Sequence, residues 1–196
     1  ARELYRREQE YLGTLGPSRE LASTSLDSGR VEILAGDLDV AERELRRDDR
    51  DLEGLHETYF RSTVSALLAR VLLLAGNPSE ADRYATIAQA MTDESDVDGA
   101  VLWRLTRSRL LVGLDPDAAM LMADEAVALA ARTEGLILQA DALRSRADLL
   151  DDLGRNDEAA ASRAEAIVKY ELKGDRVSAG AARRRAGLES AVAEAH

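Results

Sequence analysis

The stretch AGNPSEA, Ala75–Ala81, closes one helix and opens another. Gly76 can take the left-handed backbone conformation that ends a helix. Asn77 then stands where an N-cap is wanted. Pro78 follows at the first helical position, where a missing N–H costs nothing. Upstream, Ala66–Ala75 is apolar and interrupted only by Arg70. So short a turn forces the flanking helices to run antiparallel.

The same device recurs as AGDLDVA (Ala35–Ala41), VGLDPDAA (Val112–Ala119) and LGRNDEA (Leu153–Ala159). Gly36, Gly113 and Gly154 take the role of Gly76. Asp37 and Asp115 are the expected caps, Pro116 repeats Pro78, and Asn156 is the expected cap of the fourth turn. The alanines that follow, Ala41, Ala81, Ala119 and Ala159, are spaced by 40, 38 and 40 residues. A small side chain there lets paired backbones approach closely. Ala88, Ala126 and Ala166 extend that seam two turns on. The first unit has Asp48 at this place, which predicts looser packing of its second helix.

The spacing predicts a leading helix over 2–14, closed by Gly16–Pro17. Helix pairs follow at 19–35 with 38–54, 58–75 with 78–91, 97–112 with 116–131 and 136–153 with 156–172. A capping helix over 175–193 starts after Lys173–Gly174 and covers the final apolar face. The expected domain is single and spans 1–196, with units at about 19–54, 58–91, 97–131 and 136–172. The leading helix reads as the second half of an interrupted pair. With no Met at position 1, this implies an excised region preceded by further repeats.

Composition narrows the function classes. Hydrophobic residues at 45 % and charged residues at 32 % suit an ordered helical protein and exclude disorder. A net charge of −11 disfavours nucleic acid and anionic membranes as partners. Arg183–Arg185, the one basic cluster, reads as a solvated helix face. No run approaches the ~18 apolar residues of a membrane span. Residues 1–20 carry charge throughout, unlike a signal peptide, so a cytoplasmic location is expected.

Chemistry is sparse. There is no cysteine, hence no disulfide or thiolate. No phosphate-binding loop, H-E-x-x-H or G-x-S-x-G motif is present. His56 beside Glu57 has no further His or Cys to complete a metal site, and His196 is terminal. The acidic run Asp93–Glu94–Asp96–Asp98 lacks the Gly and Glu of a helix–loop–helix calcium loop, with Asp98 and Arg104 at those places. It reads as a capped, solvated turn. The expectation is a non-enzyme without cofactor or metal.

The units resemble tetratricopeptide repeats. Leu68, Ala69, Leu72, Ala81 and Ala88 match that family's pattern, as do Trp103 and Leu110, then Ala147, Leu150, Ala159 and Ala166. Gly29, Ala41 and Leu45 match in the first unit. The period of 38–40 departs from the family's 34 and implies helices about one turn longer. The resemblance implies an all-α, right-handed α-solenoid of antiparallel pairs: about four hairpins, a leading helix and a C-terminal cap. Residues 101–111 and 123–175 also resemble the C-terminal helical-repeat regions of large bacterial signalling proteins. Those proteins carry a cyclase-like or transcription-factor domain and an ATPase module upstream. The use of 24 Arg against 2 Lys fits a GC-rich bacterial genome.

In tetratricopeptide stacks the first helix of each pair lines the concave face. Carried over by position, this places Arg30 and Arg70 at one groove position, Arg104 and Arg144 at another, with Thr63 and Ser108 nearby. Two readings stand. In one, the arginines line a groove for an acidic peptide or protein surface, since a guanidinium matches a carboxylate in bidentate fashion. In the other, each pairs with a local carboxylate such as Glu32 or Asp148. The implied role is a non-catalytic interaction or regulatory module of a cytoplasmic bacterial signalling or transcriptional regulator. The alternative is a domain that senses a small-molecule or peptide inducer, which needs an enclosed, largely apolar groove. Homodimerisation through the exposed end of the stack is a further expectation.

Overall fold

The computed structural model describes residues 2–16 and 18–187. Among these are ten α-helices and no strand. They are α1 (Arg2–Gly13), α2 (Arg19–Ala35), α3 (Leu38–Gly54), α4 (Thr58–Leu74), α5 (Pro78–Met91), α6 (Val97–Leu111), α7 (Pro116–Ala130), α8 (Leu136–Asp152), α9 (Asn156–Lys173) and α10 (Arg176–Arg185). Helix α10 ends short of the expected 193, and residues 188–193 lie outside the described residues. The chain divides into two compact units, Ala1–Arg107 and Ser108–His196, with the division inside α6.

The four period-setting alanines occupy one structural position. Ala41, Ala81, Ala119 and Ala159 are all fully buried. Each donates its N–H to the carbonyl of its helix N-cap: Asp37 at 3.2 Å, Asn77 at 3.0 Å, Asp115 at 2.9 Å and Arg155 at 3.0 Å. They therefore start the i→i−4 ladder of α3, α5, α7 and α9. Ala88, Ala126 and Ala166 are buried as completely.

Hairpin turns close by a shared bond pattern. The N–H of the residue after the turn glycine reaches back five residues: Asp37 to Glu32 O, Asn77 to Leu72 O and Arg155 to Leu150 O, each 2.9 Å. The residue just before carries positive φ, 78° at Gly36, 79° at Gly76 and 71° at Gly154. Gly113 departs from the expectation and has no positive φ. Four residues separate α6 from α7, so Leu114 and Asp115 both donate to Leu111 O and the chain reverses without a left-handed residue.

Caps differ in detail. Asn77 and Asp115 accept from the N–H groups of Glu80 and Ala118 as expected. Asp37 holds the N-cap position without a side-chain bond, its carboxylate lying 3.3 Å from Arg2. The fourth cap is Arg155, not Asn156; it directly follows the turn glycine, as Asp37 and Asn77 do.

In the first unit, α3, α4 and α5 bury Leu45, Leu52, Leu67, Leu68 and Leu72 completely, each stabilising by roughly 1.5–3 kcal/mol. Asp48 does not loosen α3 as expected. It is 1 % exposed, and Ser25 of α2 and the neighbouring Arg47 partner it. In the second unit, Ala119, Met120 and Ala123 of α7 pack with Leu149 and Leu150 of α8 and Ala159 of α9. A second cluster joins Ala140 and Leu143 to Ala166, Tyr170 and Ala179, so α10 covers α9.

Candidate protein-binding residues

In the first unit, Arg30, Arg70 and Arg104 stand on α2, α4 and α6, the first helices of three successive hairpins, and all three are half-buried. The Arg30 guanidinium lies 3.3 Å from Asp98 Oδ2 at the start of α6 and 3.8 Å from Asp27. Arg104 donates to Ala100 O at 3.0 Å, and its guanidinium stacks 4.1 Å from the centre of the Trp103 ring. That stacking lays the long side chain along its own helix.

Thr63 is buried and serves the framework. Its hydroxyl donates to Asp96 Oδ1 at 3.1 Å, and the Ser62 hydroxyl donates to Asp96 Oδ2. Asp96 Oδ1 also accepts the Gly99 N–H at 2.8 Å, the contact of an N-cap to the third residue of α6. Asp96 thus fastens the start of α6 to α4 and is 2 % exposed, unlike the solvated group expected. Asp93 fits that expectation better: hydrogen bonds from Ser95 hold its carboxyl below the usual range in an exposed turn. Ser62 is the partner that sequence reasoning missed, and its position beside Thr63 in an apolar helix was the available signal.

In the second unit, Ser108 is fully buried. Arg144 lies 3.3 Å from Asp148, 3.9 Å from Asp141 and 3.3 Å from the Tyr170 hydroxyl, which itself donates to Asp141. Burial works against the Arg144 cation, but Asp141, Tyr170 and Asp148 outweigh it and raise its pKa. Burial, reinforced by Asp141, pushes the Tyr170 phenol well above its usual value. Arg163 adds to the network by pairing with Asp151, and Arg185 joins from α10 at 3.0 Å from Asp148. Arg183 pairs with Glu171, and the side chains of both Arg183 and Arg185 stay largely exposed, as the sequence reading of a solvated face expected.

Two clefts bear on ligand sensing. One, of about 330 Å³, lies among α1, α2 and α3 and is lined by Arg2, Arg6, Glu32, Arg43 and Glu44. The other, of about 360 Å³, lies among α7, α8 and α9 beside Arg146, Glu158 and Glu165. Both are open to solvent; the first is lined mainly by charged residues, while the second mixes its charges with Val127, Leu143 and Ala161. Among the described residues no cluster of three His, Cys, Asp or Glu is placed to hold a metal ion. No helix among them is long and apolar enough to cross a membrane.

No protein-family model matches the chain, and no curated protein is significantly similar to it. Solved structures are. A point variant of the nearly identical TPR-like repeats assigned to a kinesin light chain of Podosopora anserina is 15 % identical, with a TM-score of 0.50 over 88 % of this chain and 93 % of that one. The repeat protein without that substitution gives 14 % identity, a TM-score of 0.47 and coverages of 88 % and 94 %. The structure of MamA is 19 % identical, with a TM-score of 0.43 over 83 % of this chain and 86 % of that one. The first likeness and the helical hairpins together make the fold a tetratricopeptide-like α-solenoid.

Proposed function

We propose that the chain is a non-catalytic protein-interaction module that holds an acidic peptide or protein surface against the first helices of its N-terminal unit. One observation carries this reading: Arg30, Arg70 and Arg104 recur, half-exposed, on α2, α4 and α6 in a protein of net charge −11. Cations on the first helices of successive hairpins give a carboxylate-bearing chain anchors for bidentate contacts. Asp98 and Asp27 already show this chemistry at Arg30, and an acidic ligand exchanges with them there. The tetratricopeptide-like fold supports the reading, since such hairpins present a continuous wall to one partner. Thr63 and Ser108 are left out of this site because they are buried, and Arg144 because it belongs to the second unit's network of Asp141, Asp148 and Tyr170.

The setting we propose is a cytoplasmic bacterial signalling or transcriptional regulator, on the resemblance of residues 101–111 and 123–175 to the helical-repeat regions of such proteins. The charged, open clefts favour this reading over inducer sensing.

The test is fluorescence anisotropy with a labelled Glu-rich peptide. The unmodified chain is expected to bind in a salt-dependent manner, and R70E with R104E to weaken binding at least about tenfold. Equal affinity in the double variant discards the arginine wall.

A further inference from the structure

Helix α9 packs between α8 and α10 and carries an apolar line on its outer side. Ala161, Val168 and Leu172 follow one another there at i, i+7 and i+11, with Ala164 beside them, and all four are exposed. Val168 is 54 % exposed and Leu172 71 %. This side faces solvent in the earlier hairpins too. The residues nine places after Ala41, Ala81 and Ala119 are Arg50, Ala90 and Ala128, and those thirteen places after are Gly54, Glu94 and Arg132. All six are exposed although another hairpin follows each. The outer line is thus a solvent position of the repeat itself, and only the fourth hairpin fills it with two large apolar side chains.

We propose that this line of α9 seats the same line of a second copy of the chain, the two helices running antiparallel. A two-fold axis sets each edge of a helix against the same edge of its mate, so charge complementarity requires both signs on one edge. Helix α9 meets that condition, because Glu165 and Lys169 lie at i, i+4 along one edge of the apolar line. With the axis level with residue 167, Glu165 of each copy stands opposite Lys169 of the other, and the four charges alternate in sign. Lys169 Nζ now donates to a neutral acceptor, Gln139 Oε1, at 2.6 Å, and Glu165 is exposed one turn below it. Sizes match in the same register. Leu172 of each copy enters the space between Ala161 and Ala164 of the other, and the two Val168 side chains meet across the axis. On the opposite edge Glu171 is paired with Arg183 of its own chain and lies about 12 Å along the helix from its counterpart. The contact is isologous and closes on itself as a dimer. An 18-residue helix is about 27 Å long, which puts the interface at the small, weakly associating end of the size range. The arginines of the first unit take no part, so the inference stands apart from the acidic-partner reading.

Sedimentation equilibrium of the 196-residue chain, up to about 1 mM, tests it. The apparent mass is expected to rise from monomer toward dimer with concentration. V168E with L172E is expected to hold the monomer mass with unchanged helical circular dichroism, since both positions face solvent. E165K sets cation against cation across the axis and K169E sets anion against anion, so each alone is expected to weaken the dimer at least about tenfold. An equimolar mixture of those two variants restores opposite signs at both contacts and is expected to regain the dimer mass. A monomer at every concentration overturns the proposal. So does a dimer that survives V168E with L172E, or a mixture that associates no better than its two components alone.

Discussion

Gly29 of α2 faces Leu67 of α4 across a gap that one methyl group fills. A Cβ at Gly29 stands 3.4 Å from Leu67 Cδ2 and 3.5 Å from Leu45 Cδ1, which is van der Waals contact without overlap. Ala69 sits one 40-residue period later, at the matching position of α4. Gly29→Ala is therefore expected to stabilise the chain by about 0.5–1 kcal/mol, through lower unfolded-state entropy and better helix propensity. Gly99 is the contrasting case. Its Cβ would lie 2.3 Å from Asp96 Oδ2 and displace the cap that Ser62 and Thr63 hold. Gly99→Ala is expected to cost roughly 1–3 kcal/mol. Urea denaturation of both variants reads the opposite signs.

Asp48 gives the chain an unusual pH response. Its Oδ2 is buried without a hydrogen-bond partner, and burial raises its pKa despite Ser25 and Arg47. The native state therefore holds this proton more tightly than the unfolded chain. The group's contribution is most favourable below the unfolded value of about 3.9 and falls as pH rises through the folded one. Asp48→Asn is expected to remove that decline, so that its gain over the unmodified chain is larger at pH 8 than at pH 4. Denaturant midpoints at the two pH values check it, and an equal offset at both refutes it.

The repeat was legible because its cause is steric. Ala41, Ala81, Ala119 and Ala159 must be small wherever two helix backbones meet, and Gly36, Gly76 and Gly154 are left-handed, so both leave one-letter signatures. The arginines were not legible in the same way. Arg104 and Arg144 are 40 residues apart and have the same chemistry, but one lies on Trp103 and the other among Asp141, Asp148 and Tyr170. Part of the difference is local, since Trp103 adjoins Arg104 while Asp141 and Asp148 share α8 with Arg144; the rest comes from Tyr170 on α9, which no period in the sequence encodes. Asp96 was misread for the same reason, since the hydroxyls that bury it lie 33 and 34 residues upstream.

His56 occupies a place that the other turns of this type give to glycine. Its φ is 54°, and the next N–H, that of Glu57, reaches back to Leu52 O at 3.0 Å. A side chain in that conformation costs roughly 1 kcal/mol, and His56 is exposed. His56→Gly is expected to raise stability by about that amount, and His56→Val to lower it, because a β-branched side chain tolerates positive φ least. Thermal unfolding of the pair decides whether backbone strain or the imidazole itself governs this turn.

Tyr170 is the fully buried hub between α8 and α9. Its hydroxyl donates to Asp141 and accepts from Arg144 Nε at 3.3 Å, joining an anion and a cation three residues apart on α8. Tyr170→Phe keeps the ring in its pocket of Ala140, Leu143, Ala166 and Ala179 but leaves both charged groups one partner short. The expected loss is roughly 1–3 kcal/mol, larger than a typical exposed hydrogen bond because the charges stay in place in a partly desolvated site. Replacing all three together, as Tyr170→Phe with Asp141→Leu and Arg144→Met, is expected to cost less than the sum of the single changes, since no uncompensated charge is left behind. Additive losses would show instead that the three groups act separately, and that the ring's packing alone holds α9 to α8.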